Sequence, residues 1–229
     1  MCGRYSIAAE PEQIEERFGA TFAEPMGRRY NAAPSQTLPV ILNQEPERIR
    51  LVSWGINPWW LKRSRPDGLI NVRVETLRDK FREDLAERRC LVLADGFYEW
   101  AKTPDGKVPY RFVRSDRAPF AFAGIWEERE EALGPLPSFA ILTTAADAVV
   151  APVHNRMPVI LPSEVEREWI SASRSPDEVL SMVKGGRGVA LEAYPVSTAV
   201  NRATVDTPEV IKPVEVKKSG HRGLWEIGG

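Results

Sequence analysis

From position 90 to position 145 the chain reads CLVLADGFYEW, TPDGK, VPYRFVR, PFAFAGIW and SFAILTT, almost without interruption. All but the second are rich in β-branched and aromatic residues at strand length, and TPDGK carries the Asp-Gly pair of a tight hairpin turn. No helical period separates them, which excludes the regular strand–helix–strand alternation of a parallel sheet. Upstream, LPVILN and RIRLVSW add strand-like runs on either side of a turn near Asn43–Pro46. Helices enter irregularly. PEQIEERFG has Pro11 suited to a first turn and Gly19 suited to an end. In ETLRDKFREDLAERR (75–89), Leu77, Phe81 and Leu85 recur every four residues, and Arg88 and Arg89 lie near the negative helix end. SEVEREWISA and SPDEVLSMV begin with capping-box spacings, Ser163 with Glu166 and Ser175 with Glu178. The expected fold class is α+β, a single domain over residues 2–212 with a β-rich, barrel-like core and peripheral helices. A C-terminal tail over 213–229 follows, where periodicity is lost.

A chain of 229 residues buries roughly 70% of its unfolded surface, so this domain needs neither disulfides nor a metal to hold it. Its two cysteines and two histidines offer no plausible zinc set, and no metal or other cofactor is expected. Few cysteines and no apolar leader point to a reducing, cytoplasmic setting, and no run is long enough to span a membrane. The net charge of −1 gives no bulk attraction to nucleic acid. What matters is whether arginines converge locally, and EEREEALGP (127–135), which reads as an acidic loop, would repel phosphates.

The chain begins MCGRYS. Loss of Met1 would give Cys2 a free α-amine beside its thiol, with ordinary pKa values of about 8 and 8.5. Such a 1,2-aminothiol can attack an aldehyde through nitrogen and then close a five-membered thiazolidine through sulfur, which no internal cysteine can do. The alternative is a small residue that simply follows the initiator. Glu99, late in DGFYEW, shares a strand face with Phe97, while Tyr98 and Trp100 point the other way. It is either a general acid/base or a strand-end partner for an arginine. INVRVET alternates, with Val72 and Val74 on one face and Asn71, Arg73 and Glu75 on the other, suited to orienting a substrate oxygen and a phosphate or to facing solvent. His154, in APVHNRMPVIL, is a proton-transfer candidate or a structural histidine; His221, in the tail, has no assigned role. Cys90 opens an apolar run and is expected to be buried. NPWW (57–60) offers Trp59 and Trp60 for stacking on bases or for covering the core.

Taken in order, MCGRY, RYNAAPSQ, SWGINPWW, INVRVET, ADGFYEW, TTAA and VHNRMPVIL resemble the SRAP family (SOS-response-associated peptidase), the abasic-site processing proteins, from residue 2 to about residue 205. Val72 stands where that family more often has Ala. The resemblance implies a single α+β domain with a groove for single-stranded DNA, in which Cys2, after loss of Met1, captures the aldehyde of an abasic site as a thiazolidine. It implies that Asn71 orients the amine and sugar oxygen, that Glu99 acts as general acid/base and that His154 shuttles protons. Arg4, Arg73 and Arg156 would clamp phosphates, and Trp59 or Trp60 would stack at a bend in the strand. Single-stranded DNA containing abasic sites is the expected partner, bound by a monomer that joins the nucleoid with its DNA. Self-removal of Met1 and abasic-site lyase activity are compatible with this chemistry. The alternative is an N-terminal-nucleophile glutamine amidohydrolase, which also begins Met-Cys-Gly and attacks through the thiol; its glycine-rich glutamine-binding blocks are not evident. A non-catalytic single-strand binding module would leave Cys2, Glu99 and His154 unexplained.

Overall fold

The structure, a computed structural model, describes residues 2–61, 67–131, 134–184 and 188–215. In chain order its first elements are β1 (Tyr5–Ile7), α1 (Pro11–Phe18), β2 (Thr21–Phe22), β3 (Arg29–Ala32), β4 (Thr37–Leu42), β5 (Arg48–Trp54) and β6 (Asn71–Arg73). Next come α2 (Leu77–Lys80), α3 (Arg82–Glu87), β7 (Arg89–Ala94), β8 (Gly96–Thr103), β9 (Gly106–Arg114), β10 (Phe120–Glu131) and β11 (Gly134–Ala145). The last are β12 (Arg156–Pro158), β13 (Ile160–Leu161), α4 (Ser163–Trp169), α5 (Pro176–Val183) and β14 (Leu191–Pro195). Short 3-10 turns follow β6 (Val74–Thr76) and β14 (Thr198–Asn201, Pro208–Ile211).

Strands β10, β7, β4 and β5 pair antiparallel in succession, and β5 then meets β11, the hairpin partner of β10. That last contact is short and parallel, Ser53–Trp54 against Ser138–Phe139, and it closes the ring into the expected barrel-like core. A second, five-stranded sheet runs β14-β9-β8-β1-β3. Alternation along each strand divides the apolar residues. Cys90, Val92 and Ala94 of β7 and Phe120 and Phe122 of β10 join an inner core that also takes Tyr5, Phe97 and Phe112 from the second sheet. Leu91, Leu93, Ala121 and Ala123 face outward and are covered by Phe18, Leu77, Phe81, Leu85, Trp169 and Leu180 from the five helices. Both faces of β7 are therefore apolar, which explains why CLVLA reads as a continuous rather than an alternating run. Tyr98 points away from Phe97 and packs under Val196, Val200 and Val210.

Several sequence expectations hold in detail. Gly19 ends α1 in the left-handed region at φ 58°, TPDGK turns between β8 and β9, Ser175 and Glu178 form their capping box, and Cys90 is buried. Others need correction. The single helix expected over 75–89 is broken: Phe81 sits at φ −132°, ψ 32° between α2 and α3, its ring buried against Trp60. Ser163 does not cap α4; its hydroxyl instead accepts from Arg17, whose guanidinium also grips the buried Glu166, so tertiary pairing displaces the local box. The acidic stretch from Glu127 is not a loop but the outer part of β10, paired with β11. Hydrogen bonding continues to Val214, whose N–H donates to Pro195, so the segment read as a tail begins inside the fold; His221 lies outside the described residues. No helix among the described residues is long and apolar enough to cross a membrane.

Candidate active site

Cys2 lies just before β1, at the seam between the barrel and the second sheet. β1 pairs with β8 so that Tyr5 is opposite Phe97, and Tyr98 N–H donates to the Arg4 carbonyl at 3.0 Å. Continuing that antiparallel register brings the Cys2–Gly3 segment to Glu99, which points inward with Phe97 and is 4% exposed. From the barrel side, β6 runs parallel to β11 with Asn71 opposite Ile141, and Asn71 Nδ2 donates to the Cys2 carbonyl at 2.7 Å. The two sheets thus bracket one cysteine with an amide and a carboxylate. The Cys2 side chain is wholly buried, and its thiol points to the Arg4 carbonyl at 3.7 Å. Burial pushes the thiol well above the ordinary range, and the charge of Glu99 pushes it further.

His154 sits on the loop entering β12, held by its N–H to the Val150 carbonyl, and Val150 and Val153 share the inner core with Cys2. His154 Nδ1 lies 3.0 Å from both the N–H and the carbonyl of Arg156, which fixes the ring against the start of β12. β12 and β6 flank β11 at Thr143, which is opposite Pro158 on one side and Arg73 on the other. Thr143 is fully buried and its carbonyl accepts from Arg156 Nη2 at 2.6 Å. Sequence reasoning quoted its block without assigning it. A threonine in the otherwise apolar SFAIL run was the available signal, since buried polar groups need a use.

The three arginines differ. Arg73 is exposed on the Asn71 side. Arg4 donates through Nη1 to Asn31 Oδ1 and to the Val200 carbonyl, both at 2.8 Å. Asn31 is itself buried and donates to the carbonyls of Val200, Arg202 and Val205, pinning that segment to β3. Arg156 makes a two-pronged pair with Glu75, at 2.6 and 3.0 Å. Glu75 was read only as a member of an alternating face, and the pair holds its carboxyl below the usual carboxylate range.

The two adjacent tryptophans have separate positions. Trp60 packs edge-on against Phe81 with ring centroids 5.3 Å apart, and Lys80 Nζ lies 5.6 Å over its ring. Trp59 is 92% exposed, on the lip of a cleft lined also by Asp84, Glu87, Glu127 and Glu128. Arg88 and Arg129 line the same cleft, paired with Asp84 and Glu127. Trp60→Ala is expected to lower stability by about 2–3 kcal/mol, in the range for aromatic truncation at a partly buried site. Trp59→Ala should change it by less than about 0.5 kcal/mol, as the exposed ring supports nothing. Urea unfolding checks the pair.

The chain is 37% identical over 222 residues to "Abasic site processing protein YoqW" of Bacillus subtilis (strain 168), covering 93% of this chain and 99% of that protein. It is 35% identical over 233 residues to "Abasic site processing protein YedK" of Escherichia coli (strain K12), covering 93% and 100%. Similarity extends to "Abasic site processing protein HMCES" of Gallus gallus, 29% identical over 94% of this chain and 79% of that one. In fold, it is similar to a crystal structure of a protein from Bacteroides thetaiotaomicron, with a TM-score of 0.82 over 93% of this chain and 100% of the other, at 24% identity. The sequence model of one family matches residues 1–203, and by that match the chain belongs to the SOS response associated peptidase (SRAP) family.

Proposed function

We propose that this protein processes abasic sites in DNA, and that it does so by covalent capture through Cys2 after Met1 is removed. The observation that carries this reading is the bracketing of Cys2: Asn71 holds its carbonyl from one sheet while Glu99 approaches from the other. Relatives named as abasic site processing proteins, matched over almost their whole length, support the substrate.

The electrostatics of the pocket favour an order of events. A thiol held protonated by burial and by a neighbouring carboxylate is a poor first nucleophile. The α-amine of the processed chain, which burial favours in its neutral and nucleophilic form, attacks the aldehyde carbon first. Glu99 serves as general acid/base for the loss of water that gives the imine, and His154 moves protons at the opened sugar. The sulfur then adds across the carbon–nitrogen double bond and closes the ring. Asn71 fixes the main chain of Cys2, so amine and thiol meet one carbon without a search. Exposed Arg73 supplies positive charge for a flanking phosphate, Arg4 and Arg156 can join it only by giving up their bonds to Asn31 and Glu75, and Trp59 offers a face for a base. A glutamine amidohydrolase, by contrast, needs the thiol itself to attack first, which this burial opposes.

Intact mass spectrometry tests the reading on protein mixed with a single strand carrying one abasic site. The expected species has the mass of protein without Met1 plus the DNA minus one water. Absence of that species, with Met1 gone and the lesion intact, overturns covalent capture.

A further inference from the structure

A buried polar atom without a hydrogen-bond partner costs free energy, so each one in a native fold asks for a reason. Arg4 Nε, Tyr5 Oη, Asn71 Oδ1 and Arg156 Nε are such atoms among the described residues. All but one belong to residues already given a part in capture. The exception is Tyr5, whose phenol has no assigned task.

Packing does not account for that oxygen. Tyr5 is wholly buried in the inner core, its ring edge-on to Trp54 at 5.1 Å and to Phe122 at 5.7 Å. The same core uses phenylalanine at 97, 112, 120, 122 and 139, so a ring without a hydroxyl would fill the space equally well. The phenol is also within electrostatic reach of both thiols, Cys2 and Cys90, and burial keeps it protonated. It is therefore a neutral donor in the same inner core as the reacting sulfur, its oxygen still unpaired.

We infer that Tyr5 is a positioning residue for ring closure, its phenol donating a hydrogen bond to the Cys2 sulfur once Met1 has left. The inference rests on the capture reading above. In that step the sulfur–carbon bond forms, the π pair of the carbon–nitrogen double bond moves to nitrogen, and the thiol proton ends on that nitrogen. The phenol keeps its own proton throughout. The titratable groups that act on the sulfur are Glu99 of β8 and the freed α-amine; burial and Glu99 both oppose the thiolate, and a donor at the sulfur offsets them.

Tyr5→Phe deletes a single unsatisfied oxygen, so the variant is expected to fold with undiminished stability. It should bind intact single strands as the wild type does and still yield an imine that a hydride reductant traps at the normal rate. Its heat-stable adduct should form about 10- to 100-fold more slowly, the loss expected for one hydrogen bond to a charged group. The rise of that rate with pH should move to higher pH, because a thiolate without its donor is harder to form. A purely structural tyrosine would move neither the rate nor the profile. Wild-type rate and profile in Tyr5→Phe overturn this inference alone, whereas no adduct from the wild type overturns the capture reading and this inference with it.

Discussion

Cys2→Ala protein mixed with an abasic single strand is expected to give no adduct that survives heating. Alanine still permits removal of Met1 and still presents an α-amine, so the first half of the chemistry remains open to it. What it lacks is the sulfur that turns a reversible imine into a closed ring, and an imine hydrolyses on denaturation. Addition of a hydride reductant during the reaction should therefore recover a Cys2→Ala adduct, and omission of it should lose the adduct entirely. Inserting one glycine between Met1 and Cys2 should have the same outcome as losing the sulfur, because the thiol and the terminal amine would no longer share a residue. Holding both nucleophiles at one carbon is worth many orders of magnitude in rate for well-oriented intramolecular reactions, so partial activity is not expected. The Cys2 side chain is buried, and trimming it to alanine should cost about 1 kcal/mol, too little to unfold a domain of ordinary stability. Gel electrophoresis of heated samples reads the outcome. An undiminished heat-stable adduct from Cys2→Ala would remove Cys2 from the mechanism.

The parts of this site that were legible in the sequence were those whose chemistry depends on residue type and local spacing. Cys2 is informative because of its position, Glu99 because strand alternation puts it on the face of Phe97, and Asn71 because Val72 and Val74 claim the other face. The barrel was legible as an unbroken series of strands, but its closure was not. That depends on a two-residue parallel contact between β5 and β11, which no pattern in either strand announces. Tyr5 was illegible because an aromatic residue in a buried strand is ordinary, and only the missing partner of its oxygen sets it apart. Glu75 was illegible because it acts on Arg156 from a distant part of the chain. The helix over 75–89 was over-read for a related reason. The recurrence of Leu77, Phe81 and Leu85 correctly marked a buried face, while the break at Phe81 comes from its packing against Trp60.

Arg89 supplies the largest expected effect on stability. It is fully buried, yet every hydrogen bond it makes among the described residues goes to a main-chain carbonyl. Nε donates to Trp169 at 2.6 Å, Nη1 to Leu85 and to Ala86, and Nη2 to Ser171 at 2.7 Å. Those carbonyls belong to the C-terminal ends of α3 and α4, where unpaired acceptors and the helix dipoles concentrate negative partial charge. One guanidinium thus ties two helix ends to the start of β7, and a planar fork with five donors reaches both where an ammonium cannot. Arg89→Met keeps much of the volume and strips the donors, leaving several buried carbonyls unsatisfied at about 1–3 kcal/mol each. A loss of about 4 kcal/mol or more is expected, a large part of the 5–15 kcal/mol typical of a domain. Arg89→Lys should fall between, retaining charge but serving one helix end only. Urea unfolding measures both, and a midpoint for Arg89→Met within about 1 kcal/mol of wild type would refute this account. The helix ends lie on the outer face of β7, whereas Cys90, next in sequence, faces the inner core with Cys2. Arg89→Lys protein that is still folded should therefore capture abasic sites at the wild-type rate, so this substitution lowers stability and leaves the chemistry intact.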